Sequence, residues 1–380
     1  MRILLVGEYS RLHNSLKEGL TELGHEVILV GDGDGFKQFP TDHSIEPLFS
    51  KNRIVNIPRQ ALFRIFKYDL AKLERGLRFY FLLKKLKGYD VVQLINEAPV
   101  KTTPGFEKRL LARLFKQNKK TFLLSCGIDH ISVRYMLDDK LRYSLMDPYH
   151  ADNNNAPHYR YIFDYLSKSH KKLHDFIFAN ISGVIASDMD YYLPLEGHPK
   201  FLGLVPNPIN IEKLDYIKSE ITDKVIIFLG INRGTYVKKG IPFFEKALEI
   251  IKQKYGRKIE IVVAENVPYN TYINLYNKAH ILLDQVYAYD QGFNALEAMA
   301  KGKAVFTGAE KEFNDYYGLT EKVAVNALPN VNSIAAELSS LIENPAEIIA
   351  MGKRARAFIE REHSHLLVAG KYLAKWGISE

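Results

Sequence analysis

A helix that starts at a glycine after a buried strand, with a carboxylate one turn further in, can bind both phosphate and hydroxyl groups, and residues 281–307 read as such a unit. Ile281-Leu282-Leu283 is an apolar run of strand length. A tyrosine-rich polar loop from Asp284 to Gln291 leads to Gly292. From Phe293 to Lys301 the pattern turns helical, with Ala295, Leu296, Met299 and Ala300 on one stripe and Glu297 off it. Gly302 ends the helix and Lys303–Thr307 reads as a second strand, which completes a βαβ unit. The free N–H groups of Gly292, Phe293 and Asn294 lie at the positive end of the helix dipole, where phosphate binds. Glu297 sits in the second turn, placed to accept hydrogen bonds from hydroxyls.

The elements that must position this unit repeat the same alternation. Arg2–Val6 is a strand, Gly7-Glu8 a turn, Leu12–Leu23 a helix and Val27–Val30 a strand, the opening of a doubly wound parallel sheet. No G-x-G-x-x-G follows the first strand, so a dinucleotide fingerprint is excluded. Residues 59–87 are expected to form one or two amphipathic helices, ended by Gly88. Asp90–Ile95, a helix over 105–118 and Thr121–Ser125 continue the pattern. The last of these strands ends in Cys126-Gly127-Ile128-Asp129-His130, and strand C-termini are where ligands collect in such sheets. Residues 132–180 read as an insertion rich in Tyr and His, with a loop at 152–157. Gly183–Ser187 is the next strand, and Pro206 and Pro208 stiffen an extended linker at 205–210. A second domain starts near Lys224, with strand Val225–Leu229, the loop GINRGTYVKKG and a helix over 241–254. The tail 331–376 is helical with a break at Asn344-Pro345.

The bounds are those of an ordinary globular protein. At 380 residues the chain suits two domains, with 47% hydrophobic and 25% charged residues. The apolar run of MRILLVGEYS is too short for a signal peptide or a membrane span. A single cysteine, Cys126, excludes an internal disulfide and a cysteine-based zinc site, which suits a reducing cytoplasm. His170 and His174 are four apart and face one side of a helix, yet no H-E-x-x-H accompanies them, so they read as packing or surface histidines and no metal site is expected. The net charge of +8 is uneven: residues 51–120 hold 18 Lys and Arg against 5 Asp and Glu, a balance of +13. Phe63, Phe66, Tyr68, Phe79, Tyr80 and Phe81 lie in the same stretch. Such a face attracts an anionic membrane at about 1 kcal/mol per basic residue, or nucleic acid, or is simply a solvated helix surface over buried aromatics.

GFNALEAMAKGKAVFTG resembles the LEAMAxGxPV segment of the retaining GT-B glycosyltransferases. The resemblance implies two Rossmann-like domains facing a cleft, 1–206 on the acceptor side and 207–363 on the donor side, with a last helix within 364–380 packing back on the first. In that family the segment carries a Glu-x7-Glu pair. Glu297 matches the second Glu, which implies contact with the ribose of a sugar nucleotide. The first falls at Tyr289, with Asp290 beside it; either Asp290 takes the role through a one-residue shift, or the role has moved or been lost. Gly230, Arg233, Lys239 and Gly240 match a loop whose cations clamp the donor diphosphate. Gly292, Phe293 and Asn294 would meet phosphate. On the acceptor side, Gly7 and Glu8 match a turn facing the cleft, while Cys126 stands where the family has a histidine, with Gly127, Asp129 and His130 following.

The implied activity is transfer of a sugar from a UDP- or GDP-linked donor to a hydroxyl acceptor, with retention and without metal or cofactor. Arg233 and Lys239 would stabilise the leaving group and Asp129 would contact a substrate. The acceptor is expected in cell-surface polysaccharide or glycolipid synthesis, with the protein cytoplasmic or held on the inner face of the membrane. A sugar-nucleotide epimerase or hydrolase shares the cleft but needs no acceptor. A non-catalytic binder is the reading that Tyr289 and Cys126 favour. Nucleic acid ranks last, because no recognised motif accompanies the basic stretch.

Overall fold

The computed structural model describes residues 1–49, 69–265, 267 and 269–378. Short apolar runs alternating with amphipathic helices build two all-parallel sheets. The first contains β1 (Arg2–Val6), β2 (Glu26–Gly31), β3 (His43–Ser44), β4 (Val91–Leu94), β5 (Lys120–Ser125), β6 (Gly183–Ala186) and β7 (Phe201–Leu204). Their order is β3-β2-β1-β4-β5-β6-β7. The second contains β8 (Val225–Ile231), β9 (Ile259–Glu265), β10 (Ile281–Leu283), β11 (Ala304–Thr307) and β12 (Val325–Asn326), in the order β12-β11-β10-β8-β9. Strands β1, β4, β6, β10 and β11 are buried almost throughout, as strands covered by helices on both faces must be.

Two segments cross between the sheets, and they are bonded to each other. Ile209 donates to His363 O (2.7 Å) and His365 donates to Ile209 O (3.0 Å). The helix His365–Lys375 then packs against Leu12–Glu22 of the first domain. A Cβ on Gly19 would lie 2.3 Å from the His365 carbonyl oxygen, so this contact requires glycine. Trp376 is buried beyond it, its indole donating to Gln93 Oε1 (3.0 Å).

Four departures from the sequence reading have physical reasons. Strands β3 and β12 are two residues long, too short to leave a periodic pattern. The loop expected at 152–157 runs into a helix at Ala156, Ala156–Phe163, which with His130–Leu137, Asp147–Ala151 and Lys168–Asn180 connects β5 to β6. Gly230 lies inside β8, where a Cβ would meet Tyr272 Oη at 2.8 Å, so it serves packing there and does not open the loop. Of the helix expected over 59–87, the described part is Leu70–Leu82; residues 59–68, with Phe63, Phe66 and Tyr68, lie outside the described residues.

Candidate active site

The C-terminal ends of both sheets open on a shared cavity of about 340 Å³, within the size range of small-molecule sites. Its first-domain wall includes Tyr9, Ser10, Cys126, Gly127, Asp188 and Asp190; its second-domain wall includes Lys239, Gln285, Asp290, Gln291, Gly292 and Phe293.

The turn after β1 is strained where it faces the cavity. Gly7 has φ +88°, and a Cβ there would overlap Ile95 Cγ2 at 2.2 Å. Ser10 and Arg11 follow in the left-handed region, at φ 50° and 70°, a conformation that costs non-glycine residues free energy and gathers at functional sites. Glu8 is buried below the turn. Its Oε2 accepts from the Asn14 amide and side chain (2.9 and 2.6 Å), Oε1 has no partner, and burial pushes its carboxyl up to about 7.

The β5 turn divides its expected roles. Cys126 and Gly127 (φ +75°) line the cavity. The Cys126 thiol donates to Ile95 O at 3.2 Å, and burial raises its pKa well above the ordinary value, so it is no nucleophile. Asp129 is buried and caps the helix His130–Leu137: Oδ1 accepts from Ser132 N (2.7 Å) and Oδ2 from the Ser125 hydroxyl. Asp129 is not among the residues that line the cavity, so the structure gives it a capping role in place of the substrate contact expected of it. His130 donates through Nδ1 to Tyr165 O (2.9 Å) and through its amide to Glu97 (3.3 Å).

The second-domain cations part company. Lys239 Nζ lies on the cavity wall, 2.8 Å from Asp284 Oδ1, with its side chain 34% exposed. Gly240 follows at φ +67°, and Lys239 O accepts from Val286 N at 2.9 Å. Arg233 is turned the other way, in a bidentate pair with Glu265 (2.6 Å to each oxygen), 57% exposed over the Tyr236 ring. Of the two cations expected to act together, Lys239 lines the cavity and Arg233 does not. In place of Arg233, Lys238 reaches the cavity, its ammonium held by His158 O (2.8 Å) and Gly234 O (3.0 Å). Gly292 and Phe293 form the open start of the helix Phe293–Ala300 on the same wall. Asn294 donates to Asp284 Oδ1 at 3.0 Å.

Glu297 is half-buried, and burial raises its carboxyl above the ordinary range against the pull of Arg11, Lys301 and Lys37. Arg11 and Lys37 belong to the first domain, so Glu297 faces positive charge across the cleft. No sequence pattern marked these two residues.

Tyr289, at the position of the expected Glu, is off the cavity wall and buried. Its hydroxyl accepts from Arg142 N (2.7 Å), and its own amide donates to Asp190 (3.2 Å). Asp290 occupies the wall instead, accepting from Met189 N (3.2 Å) and Gln291 N (2.7 Å). Burial and then Asp188 push its carboxyl up to about 8. Burial also takes Asp188 to about 6 and raises Asp190 well above the ordinary value. Asp188 and Asp190 escaped the sequence reading, although the S-D-M-D that follows β6 is a pair of carboxylates at a strand C-terminus. Among the described residues, no group of three or more His, Cys, Asp or Glu is arranged to hold a metal ion.

This arrangement defines a GT-B fold: two Rossmann-like parallel sheets facing one cleft, with the second chain crossing returning to the first domain. Residues 240–373 match the family described as glycosyl transferase-like. The chain is similar in structure to sucrose-phosphate synthase from Thermosynechococcus elongatus (TM-score 0.61, 16% identity, covering 99% of this chain and 98% of that one). It is similar to Anabaena HepE in complex with UDP and glucose (TM-score 0.59, 11% identity, covering 99% of both chains). It is also similar to a putative UDP-N-acetylglucosamine 2-epimerase from Listeria monocytogenes (TM-score 0.52, 10% identity, covering 98% and 94%). No curated protein sequence matches the chain.

Proposed function

We propose that the protein is a glycosyltransferase that moves a sugar from a nucleotide-sugar donor to a hydroxyl acceptor in the cleft. The observation that carries this reading is the meeting, in one cavity, of Lys239 and the open helix start at Gly292–Phe293 with Asp290 and Asp188 from the two domains. Lys239 and the helix amides neutralise the departing diphosphate, a role metal ions fill elsewhere. Glu297 accepts hydrogen bonds from the ribose hydroxyls. Asp290, protonated at neutral pH, donates to a sugar hydroxyl. The acceptor oxygen bonds to the anomeric carbon on the face from which the phosphate departs as the carbon–phosphate-oxygen bond breaks; the acceptor proton passes to that phosphate, and attack on this face gives retention. UDP- and GDP-linked sugars are the donors to test, and a surface polysaccharide or glycolipid is the acceptor class.

A second reading, a sugar-nucleotide epimerase or hydrolase, draws on the likeness to the Listeria protein and on the three cavity carboxylates with raised pKa values, which suit acid–base work without an acceptor. A thermal-shift panel of UDP- and GDP-sugars identifies the donor, because a ligand of the folded state raises the melting temperature by mass action. Turnover is then followed with and without a hydroxyl acceptor extract. Nucleotide release that depends on the acceptor and persists in chelator supports a metal-independent transferase. Equal turnover without acceptor supports the second reading, and no stabilisation by any sugar nucleotide removes both.

A further inference from the structure

The helix Leu70–Leu82 is apolar on two faces, and the core uses only one of them. Inward, Ala71, Gly76 and Phe79 are buried, and a Cβ on Gly76 would lie 2.5 Å from the Phe106 ring, which fixes this face against the helix Pro104–Lys116. Outward, Leu77, Tyr80 and Phe81 are exposed at spacings of three and four, so they share a side. A solvated helix face would be polar at these positions. Phe49 stands alongside, its amide donating to Glu74 Oε1 of the same helix (2.9 Å), with Leu48 next to it. Phe81 and Phe49, 67% and 70% exposed, are the only exposed phenylalanines among the described residues. Lys84, Lys85 and Lys87 extend the patch past the helix end, exposed and without a carboxylate partner among the described residues. The Arg113 guanidinium lies over the Tyr80 ring at 5.8 Å.

We propose that this face docks the protein on an anionic lipid bilayer. Two exposed phenylalanines, a tyrosine and two leucines, bordered by exposed lysines, match a headgroup layer: the rings enter the boundary of the acyl chains while the ammonium groups meet lipid phosphates. The described stretch 69–120, to which the helix belongs, holds 13 Lys and Arg against 5 Asp and Glu, a charge of the complementary sign. Among the described residues no helix is long and apolar enough to cross a membrane, so this attachment is peripheral.

The test is co-sedimentation of the full chain with vesicles of phosphatidylcholine alone or with a third of phosphatidylglycerol. Wild type is expected to bind the anionic vesicles at least about 10-fold more tightly, and to be released by salt. The double variant Lys84→Glu, Lys85→Glu should lose this preference, and Phe81→Ser should weaken binding roughly 10-fold on both vesicles. These residues are exposed, so melting temperatures should match wild type; Phe49→Ser is the second apolar variant if Phe81→Ser fails to fold. Wild type that stays in the supernatant at low salt overturns the proposal, as does vesicle binding unchanged in every variant. Two other results also overturn it: tight duplex DNA binding lost in the lysine variant without vesicle binding, or a wild-type dimer that Phe81→Ser dissociates.

Discussion

The hydroxyl of Tyr289 accepts the backbone N–H of Arg142 at 2.7 Å, joining the connection between β5 and β6 to the second domain. The Arg142 guanidinium covers the Tyr289 ring at 4.9 Å and reaches Glu312 (2.6 Å) and Glu310 (2.8 Å), and the neighbouring Tyr143 hydroxyl donates to Glu310. A tyrosine at the position of a sugar-contacting carboxylate thus closes the two halves of the molecule onto each other. Tyr289→Phe should cost about 1–2 kcal/mol, because it leaves the Arg142 amide without its acceptor. Glu312→Gln should cost about 0.2–1 kcal/mol, since the Arg142 side chain is half exposed and such pairs are screened. Urea midpoints measure both, and a larger loss for Glu312→Gln would contradict this ranking.

Lys239 and Arg233 separate cleanly in a nucleotide titration. Both cations are paired, Lys239 with Asp284 and Arg233 with Glu265, but only Lys239 lines the cavity. Lys239→Ala is expected to weaken UDP or GDP binding by about 1.5–3 kcal/mol, roughly 10–100-fold. Arg233→Ala should change it by less than about 3-fold, as an exposed pair does when broken. Calorimetry that finds the reverse order would refute the assignment of the diphosphate to Lys239.

Glu297 lies off the cavity wall, facing Arg11 and Lys37 across the cleft, and removing its carboxylate tests the proposed ribose contact. Glu297→Ala should weaken nucleotide binding by about 1.5–3 kcal/mol, the worth of a hydrogen bond to a charged group. Its effect should shrink for a 2′,3′-dideoxyribose nucleotide, which has no hydroxyls to offer. Equal losses for the ribose and dideoxyribose nucleotides would detach Glu297 from the ribose.

What the sequence disclosed was local. Strand runs such as Ile281–Leu283 and the helix start at Gly292 stand in the structure as the pattern indicates, because apolar runs and glycine stops are written in consecutive residues. The side to which a loop cation turns is decided by a partner elsewhere in the fold. Arg233 and Glu265 are 32 residues apart, and no spacing rule reports that they pair. Asp129 shows the same limit from the other direction: an Asp before H-I-S is both a strand-end ligand site and a helix cap, and the cap geometry won. His170 and His174 share a face as their spacing indicates, yet Glu97, the group they face, lies more than 70 residues away.

The carboxylates of the cleft give stability a slope with pH. Asp290 and Asp188, pushed up to about 8 and about 6 by burial, titrate near about 3.9 when unfolded. Between these values the folded state holds more protons, so their contribution is full below about pH 4 and is lost as pH rises through about 6 and then about 8. His13 and His363, lowered by burial to about 3 and about 4, act the other way: their contribution is present above about pH 6.5 and falls away in acid. Asp290→Asn removes the largest of the alkaline losses while keeping the shape. Relative to wild type, the variant should gain melting temperature from about pH 4 to about pH 8 and level off above that. A constant difference over that range would show that Asp290 is already ionised.

Glu97 lies at the end of β4 and holds the helix Lys168–Asn180 to the first sheet. It accepts from His174 Nδ1 (2.6 Å), His170 Nε2 (3.2 Å) and the His130 amide (3.3 Å). Burial alone would raise its carboxyl, but the hydrogen bonds from His170 and His174 outweigh it and bring it down to about 2. A depressed carboxyl contributes stability that is present above about pH 4.5 and disappears as pH falls through about 2. Glu97→Gln has one acceptor oxygen for two imidazoles and turns an NH2 toward the other. The cost should be about 2–4 kcal/mol at neutral pH, the range for stripping one partner from a buried charged network, and the gap to wild type should close in strong acid. Dialysis against EDTA separates this network from a metal centre: the wild-type melting temperature should not move, and a fall would mean that an ion, rather than Glu97 alone, joins the two histidines.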